Sequence, residues 1–197
     1  MKTKILPVIA LLVLMSGVSK SSYAVTIHNT DCTVLNGIKA ITRIEVRGNV
    51  ELFISDNATE NVKVYNQYYS ESAVLQYNSG VLRIASYNDK KLVVWVTAND
   101  LRSVSAYDNA EVRSFGGFSN IEFSVELHNY ASAKLNLNVY SANITLRDHA
   151  KAELSGTATE FNLDRNVGST LIDSDFLANQ KISTPAKAKN ADIAGLE

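Results

Sequence analysis

The chain has 197 residues, with 19 Lys and Arg against 20 Asp and Glu. A formal net charge of −1 without a basic run leaves no electrostatic footprint for nucleic acid or an anionic membrane. One cysteine, Cys32, excludes an internal disulfide, so an apolar core must hold the fold unaided.

Lys2 and Lys4 precede an apolar run from Ile5 to Val18, and Ser22-Tyr23-Ala24 has small residues where a signal peptidase reads. Residues 1–24 are therefore expected to be a secretory signal peptide, with a mature chain starting near Val25. Its destination would be the periplasm, the cell surface or the medium. The run is too short and wrongly flanked for a membrane span, so none is expected in the mature chain. Leu14-Met15-Ser16-Gly17 continues into Val18 rather than into a Cys, which argues against a lipoprotein anchor.

Residues 25–39 form a polar N-terminal segment containing His28, Cys32 and an Asn36-Gly37 turn signal. Here Cys32 is either an inert thiol in a flexible segment or a link between chains, and the inert reading is preferred. From Ile44 to Ile54 apolar and polar residues alternate, with Gly48 at a corner, until Ser55-Asp56-Asn57 ends the run. Val62–Tyr65 starts another strand, Asn78-Ser79-Gly80 reads as a tight turn before Val81–Ile84, and Leu92–Thr97 carries the only tryptophan, Trp95. Asn99-Asp100 then bends the chain.

Four near-copies of one pattern follow, starting at Val104, Val125, Ile144 and Phe161, about 17 to 21 residues apart. They read VSAYDNAEVRS, VELHNYASAKL, ITLRDHAKAEL and FNLDRNVGSTL. Period-two alternation marks half-buried strands, and repeats of this length stack as units of a parallel β-solenoid. One inward column is polar: Asp108, Asn129, Asp148 and Arg165. Asp and Asn tolerate the left-handed bend, so this column is expected to be a structural corner ladder. Gly116-Gly117 and Gly156 are expected to be loops between copies. Phe176 to Ala188 would be a fifth, weaker coil, and 191–197 a frayed end. The single domain would span 40–190.

The alternation from Arg43 to Leu52, the strand Gly80-Val81-Leu82-Arg83-Ile84 and the repeats LHNYASAKL and LRDHAKAEL together resemble the bacterial head GIN domain family. Its members are described as auto-transporter adhesins and are common in the Bacteroidetes. The resemblance implies an all-β, right-handed parallel β-helix related in shape to pectin lyases, without a recognised catalytic set. Many members carry repeated Gly-Ser-Gly triplets that have been suggested to touch sugars. The matching positions here read Asp108-Asn109-Ala110, Asn129-Tyr130-Ala131, Asp148-His149-Ala150 and Arg165-Asn166-Val167.

Nucleophilic catalysis has no Gly-x-Ser-x-Gly elbow here, and His28, His128 and His149 stand in unlike positions. The acids Glu111, Glu126, Glu153 and Asp164 are scattered singly. Asp148 and His149 are adjacent, so on a flat strand they point to opposite faces rather than to one metal. No catalytic residue, metal or cofactor is expected. The outward residues Tyr107, His128, Tyr130, Arg147 and His149 are the ligand-binding candidates, since aromatic faces beside hydrogen-bonding groups suit carbohydrate. The leading expectation is a secreted, non-enzymatic, adhesin-like module with a glycan or other cell-surface partner. A carbohydrate-active enzyme on a pectin-lyase-like scaffold and a purely structural envelope protein are the alternatives.

Overall fold

The computed structural model describes residues 32–35, 37–65 and 73–184. The expected signal peptide, the Val25 start, His28, the stretch Pro185–Ala188 and the C-terminal 191–197 lie outside the described residues. The strands are β1 (Cys32–Leu35), β2 (Arg43–Gly48), β3 (Val50–Ser55), β4 (Asn61–Tyr65), β5 (Ala73–Asn78), β6 (Val81–Ser86) and β7 (Leu92–Thr97). After them come β8 (Ser103–Tyr107), β9 (Glu111–Ser114), β10 (Phe118–Leu127), β11 (Ser132–Leu146), β12 (Lys151–Arg165) and β13 (Thr170–Thr184). The described residues are all-β, without a helix, and all 13 strands join one curled sheet.

Successive repeats lie side by side, parallel and in register. One row runs Val46, Ala106, Leu127, Leu146 and Arg165, and another runs Leu52, Val112, Ala133, Ala152 and Leu171. A third joins Phe123, Ala142 and Phe161. Equivalent side chains therefore repeat at the strand spacing of about 4.8 Å. Alternation sends Ile44, Val46, Leu52 and Ile54, then Leu127, Leu135 and Leu146, into one contiguous core. Ala110, Ala131 and Ala150 are fully buried just past the corner, where the chain crosses close over that core.

Four expectations are corrected. The fourth copy starts at Leu163 rather than Phe161, because Leu163 pairs with Ile144 and Phe161 with Ala142. A slip of two residues preserves the alternation, so pattern alone cannot detect it; only a slip of one would turn the core outward. Gly156 is not in a loop. It sits within β12, where φ of +99° bends the strand between two faces. Residues 32–35 are a strand, β1, in which exposed Cys32 pairs with Tyr65. Finally, not every strand follows the parallel order. β4 runs antiparallel to β1 and β7, and β5 to β6. The β5–β6 reversal is local chemistry: Ser79 and Gly80 both have positive φ (48° and 82°), the backbone that a two-residue hairpin turn requires.

Candidate functional site: the corner ladder

The corner rests on backbone that few residues accept. Asp108, Asn129 and Asp148 have φ of 61°, 59° and 57°, and Gly48 has 80° one position past the row of Arg47 and Tyr107. Asp and Asn enter this left-handed region more readily than other L-residues because their short side chains bond locally. Each bend closes with a hydrogen bond across the turn. Ala110 N–H donates to Tyr107 O at 3.2 Å, Ala131 N–H to His128 O at 3.0 Å, and Ala150 N–H to Arg147 O at 3.1 Å. Levels are joined in turn by Tyr130 N–H to Asp108 O and His149 N–H to Asn129 O, both 2.9 Å.

The side chains tie the ladder again. Asn129 Nδ2 donates to Asp108 Oδ1 at 3.0 Å, and Asn129 N–H donates to Asp148 Oδ2 at 3.1 Å. Tyr87 Oη donates to Asp108 Oδ2 at 3.1 Å. Partial burial, and then the hydrogen bond to the Asp108 carboxylate, push the Tyr87 phenol above its ordinary pKa. Arg165 does not belong to this column. It is the last residue of β12, paired with Leu146, and by the same register the residue level with Asp148 is Val167, which is 70% exposed.

The ladder predicts a contrast at Asn129. Asn129→Gly should cost less than about 1 kcal/mol, since Gly reaches positive φ freely and the lost bonds are solvent-exposed. Asn129→Val should cost about 1–3 kcal/mol, because a β-branched residue is strained there. Denaturant melts of the two variants decide it; equal midpoints would mean that the bend is not strained.

All five ligand-binding candidates stand on two adjacent columns beside this corner. In the first, the Tyr107 and His128 rings stack with centroids 4.8 Å apart and planes 9° from parallel. Arg147 is one level further, its guanidinium held by both Asp164 carboxylate oxygens. In the second column, Tyr130 and His149 stack at 5.2 Å and 12°. The two stacks differ in what they leave open. The guanidinium of Arg47 lies 3.9 Å from the Tyr107 ring centroid, covering the face that His128 does not. Tyr130 is 67% exposed, and the residue level with His149 in the next repeat is Gly168, which has no side chain. A shallow hollow of about 460 Å³ beside this second stack is lined by Asp108, Asn109, Asn129, Tyr130, Asp148 and His149. It joins two aromatic rings with carboxylate and amide groups, the mixture that a polyhydroxylated ring engages.

Two residues at this corner escape the sequence reading. Arg47 was legible in principle, since it precedes Gly48 as Tyr107 precedes Asp108. Tyr87 follows the end of β6, and nothing in its neighbourhood signals that its hydroxyl reaches Asp108. A second aromatic surface also went unread. Phe53 stacks on Trp95 at 4.7 Å, and Phe115 packs on Trp95 at 5.1 Å.

The acids do not converge. Glu111 bonds Lys91 and Arg113, Glu153 bonds Lys134, Asp164 bonds Arg147, and Glu126 accepts from Ser105 at 3.3 Å. The hydrogen bond from Lys91 is the main cause that holds the Glu111 carboxyl below its ordinary pKa. Among the described residues no three His, Cys, Asp or Glu side chains gather to hold a metal, and no helix is long and apolar enough to cross a membrane.

No curated protein sequence matches the chain. Solved structures do. An adhesin-described protein of Bacteroides fragilis superposes with a TM-score of 0.69 at 13% identity, over 77% of this chain and 74% of that one. A second from Parabacteroides merdae gives 0.64 at 12% identity, over 79% and 78%. A protein of Parabacteroides distasonis, described as lipid binding, gives 0.59 at 9%, over 78% and 77%. At such identities these likenesses speak for the fold alone. The family profile described as "Putative auto-transporter adhesin, head GIN domain" matches residues 40–191. That match spans most of the sequence and every described strand from β2 to β13, and the chain belongs to the head GIN domain family.

Proposed function

We propose that the chain is an exported, non-enzymatic adhesin-like module that binds a glycan on its corner face. The observation that carries this reading is the Tyr130–His149 stack beside a hollow whose other lining groups are all carboxylates and amides. Membership in a family described as adhesins supports surface interaction, and the apolar run after Lys2 and Lys4 with Ser22-Tyr23-Ala24 supports export of a chain beginning near Val25. In this reading residues 40–190 form a right-handed parallel β-helix; the parallel, in-register rows 19 to 21 residues apart support the coil.

The ring stack and the charge pairs assign separate roles. Tyr130 and His149 offer ring faces and edges, while Asp108, Asn109, Asn129 and Asp148 offer acceptors and donors to hydroxyls. Tyr107 and His128 lie one column away, with Arg47 and Arg147 at the two ends of that column. Because Asp164 already holds Arg147, we assign Arg147 to bracing the face. Among the described residues Glu111 and Glu153 are held by lysines, and the Asp108 and Asp148 carboxylates accept hydrogen bonds from Asn129, so in this reading they brace the face and bound glycan would leave unchanged.

A glycan array probed with the mature chain tests the proposal. Tyr130→Ala and His149→Ala should each weaken retention about 5- to 30-fold, as loss of one aromatic contact of about 1–2 kcal/mol would. The double variant should weaken it further. New reducing ends in the retained glycan would favour the enzyme reading, and retention of no glycan would contradict the proposal.

A further inference from the structure

We propose that the outer edge of β13 docks a second copy of the chain, giving a closed two-fold dimer in which the two β13 strands run antiparallel. β13 is 15 residues long, and among the described residues it pairs only with β12. Its other edge carries backbone donors and acceptors that a further strand would satisfy. The opposite end of the sheet is finished differently, by short antiparallel strands β1 and β5.

The side chains of β13 point to its own copy rather than to an unlike strand. Three apolar residues stand out from it: Leu177 is 70% exposed, Ile182 is 64% exposed, and Ile172 is also exposed. Lys181 is level with buried Phe161, so it leans over the end of the core, with its ammonium 5.3 Å from the Phe161 ring centroid. There it pairs with Asp173, eight residues earlier in the same strand. Among the described residues of the last layer, this pair sets one positive and one negative group, both partly exposed, across the mouth of the stack.

A two-fold axis through the edge near Leu177 reverses that pair. The second copy's Lys181 then lies against Asp173, and its Asp173 against Lys181, so four charges alternate in sign. The same operation sets Ile172 against the second copy's Ile182, and brings the two Leu177 side chains together at the axis. A head-to-tail contact has no such match, because β1 and β5 end the sheet at the other side with unlike residues. An isologous contact also closes after two copies and leaves no edge for fibre growth. Two corner ladders would face outward from one particle, raising retention on a repeating glycan by avidity.

The full mature chain, measured by light scattering during gel filtration over a wide concentration range, should show dimer mass. Leu177→Lys sets two ammonium groups together at the axis and should give monomer mass with an unchanged circular dichroism spectrum. Exchanging both charges, Asp173→Lys with Lys181→Asp, keeps the alternation and should leave the dimer. A monomeric wild-type chain would overturn the proposal, assigning the edge to residues 185–197 or to another partner. So would a Leu177→Lys variant that stays dimeric, or wild-type masses growing beyond two. Each readout is independent of glycan binding.

Discussion

Gly156→Ala should destabilise the protein by about 3 kcal/mol or more, an unusually large effect for one methyl group. The backbone there has φ of +99°, outside the region where L-residues rest, and holding a side chain at such a position costs about 1–3 kcal/mol. The new Cβ would also stand 2.1 Å from the Leu137 carbonyl oxygen and 2.8 Å from Asn136 Oδ1. The Leu137 carbonyl is fixed in the β11–β12 pairing, so relief requires these two long strands to part, and overpacking of this kind costs a further 1–3 kcal/mol or so. Gly117→Ala is the control. It has no positive φ and nothing within 4 Å of the added Cβ, so a change within about 0.5 kcal/mol of wild type is expected. Urea melts of both variants measure the difference, and equal midpoints would contradict the bend assigned to Gly156.

Phe123→Ala should cost about 3–5 kcal/mol, the usual range for emptying an aromatic site in a packed core. Phe123 is fully buried, tilted against Phe118 at 4.7 Å, and lies in the row of Ala142 and Phe161. Ala142, its neighbour in the row, is too small to fill the space. Ile121→Ala, two residues earlier in the same strand, should change stability by less than about 0.5 kcal/mol, because Ile121 is 78% exposed. Chemical denaturation with single-exponential controls gives both values, and similar losses at the two sites would mean that the interior is misassigned.

That pair also shows where sequence reading stops. Strict alternation would put Ile121 and Phe123 on one face, yet a corner between them turns one outward and the other into the core. Between corners the alternation was sufficient: Val125 and Leu127, or Ala133 and Leu135, go inward as period two requires. Corners themselves were legible where special backbone leaves a residue signature. Asp108, Asn129 and Asp148 announced their left-handed bend, and Asn78-Ser79-Gly80 announced a hairpin. The fourth repeat carried no such signature. Val167 stands in the Asp column, and a slip of two residues costs the alternation nothing, so register there is settled only by pairing with β11.

The candidate site was half legible for a related reason. The repeat placed Tyr107 with His128 and Tyr130 with His149, because equal positions in successive repeats must stack. Partners from outside the repeat block were invisible. Tyr87 reaches Asp108 from the loop after β6, and Trp95 meets Phe53 and Phe115 only because β7, β3 and β9 are neighbours in the sheet. Arg147 read as an outward ligand group, whereas the structure pairs it with Asp164, which sits one level on at the end of β12.

The corner face and the Trp95 face are two aromatic surfaces among the described residues, and one titration separates them. Amide chemical shifts of the mature chain should be followed by nuclear magnetic resonance while a glycan retained on the array is added. Shifts concentrated at Asn109, Asn129, Tyr130 and His149, with Trp95 and Phe115 unmoved, are the predicted result. Shifts confined to Trp95, Phe53 and Phe115, with the corner ladder silent, would contradict the assignment of binding to the corner.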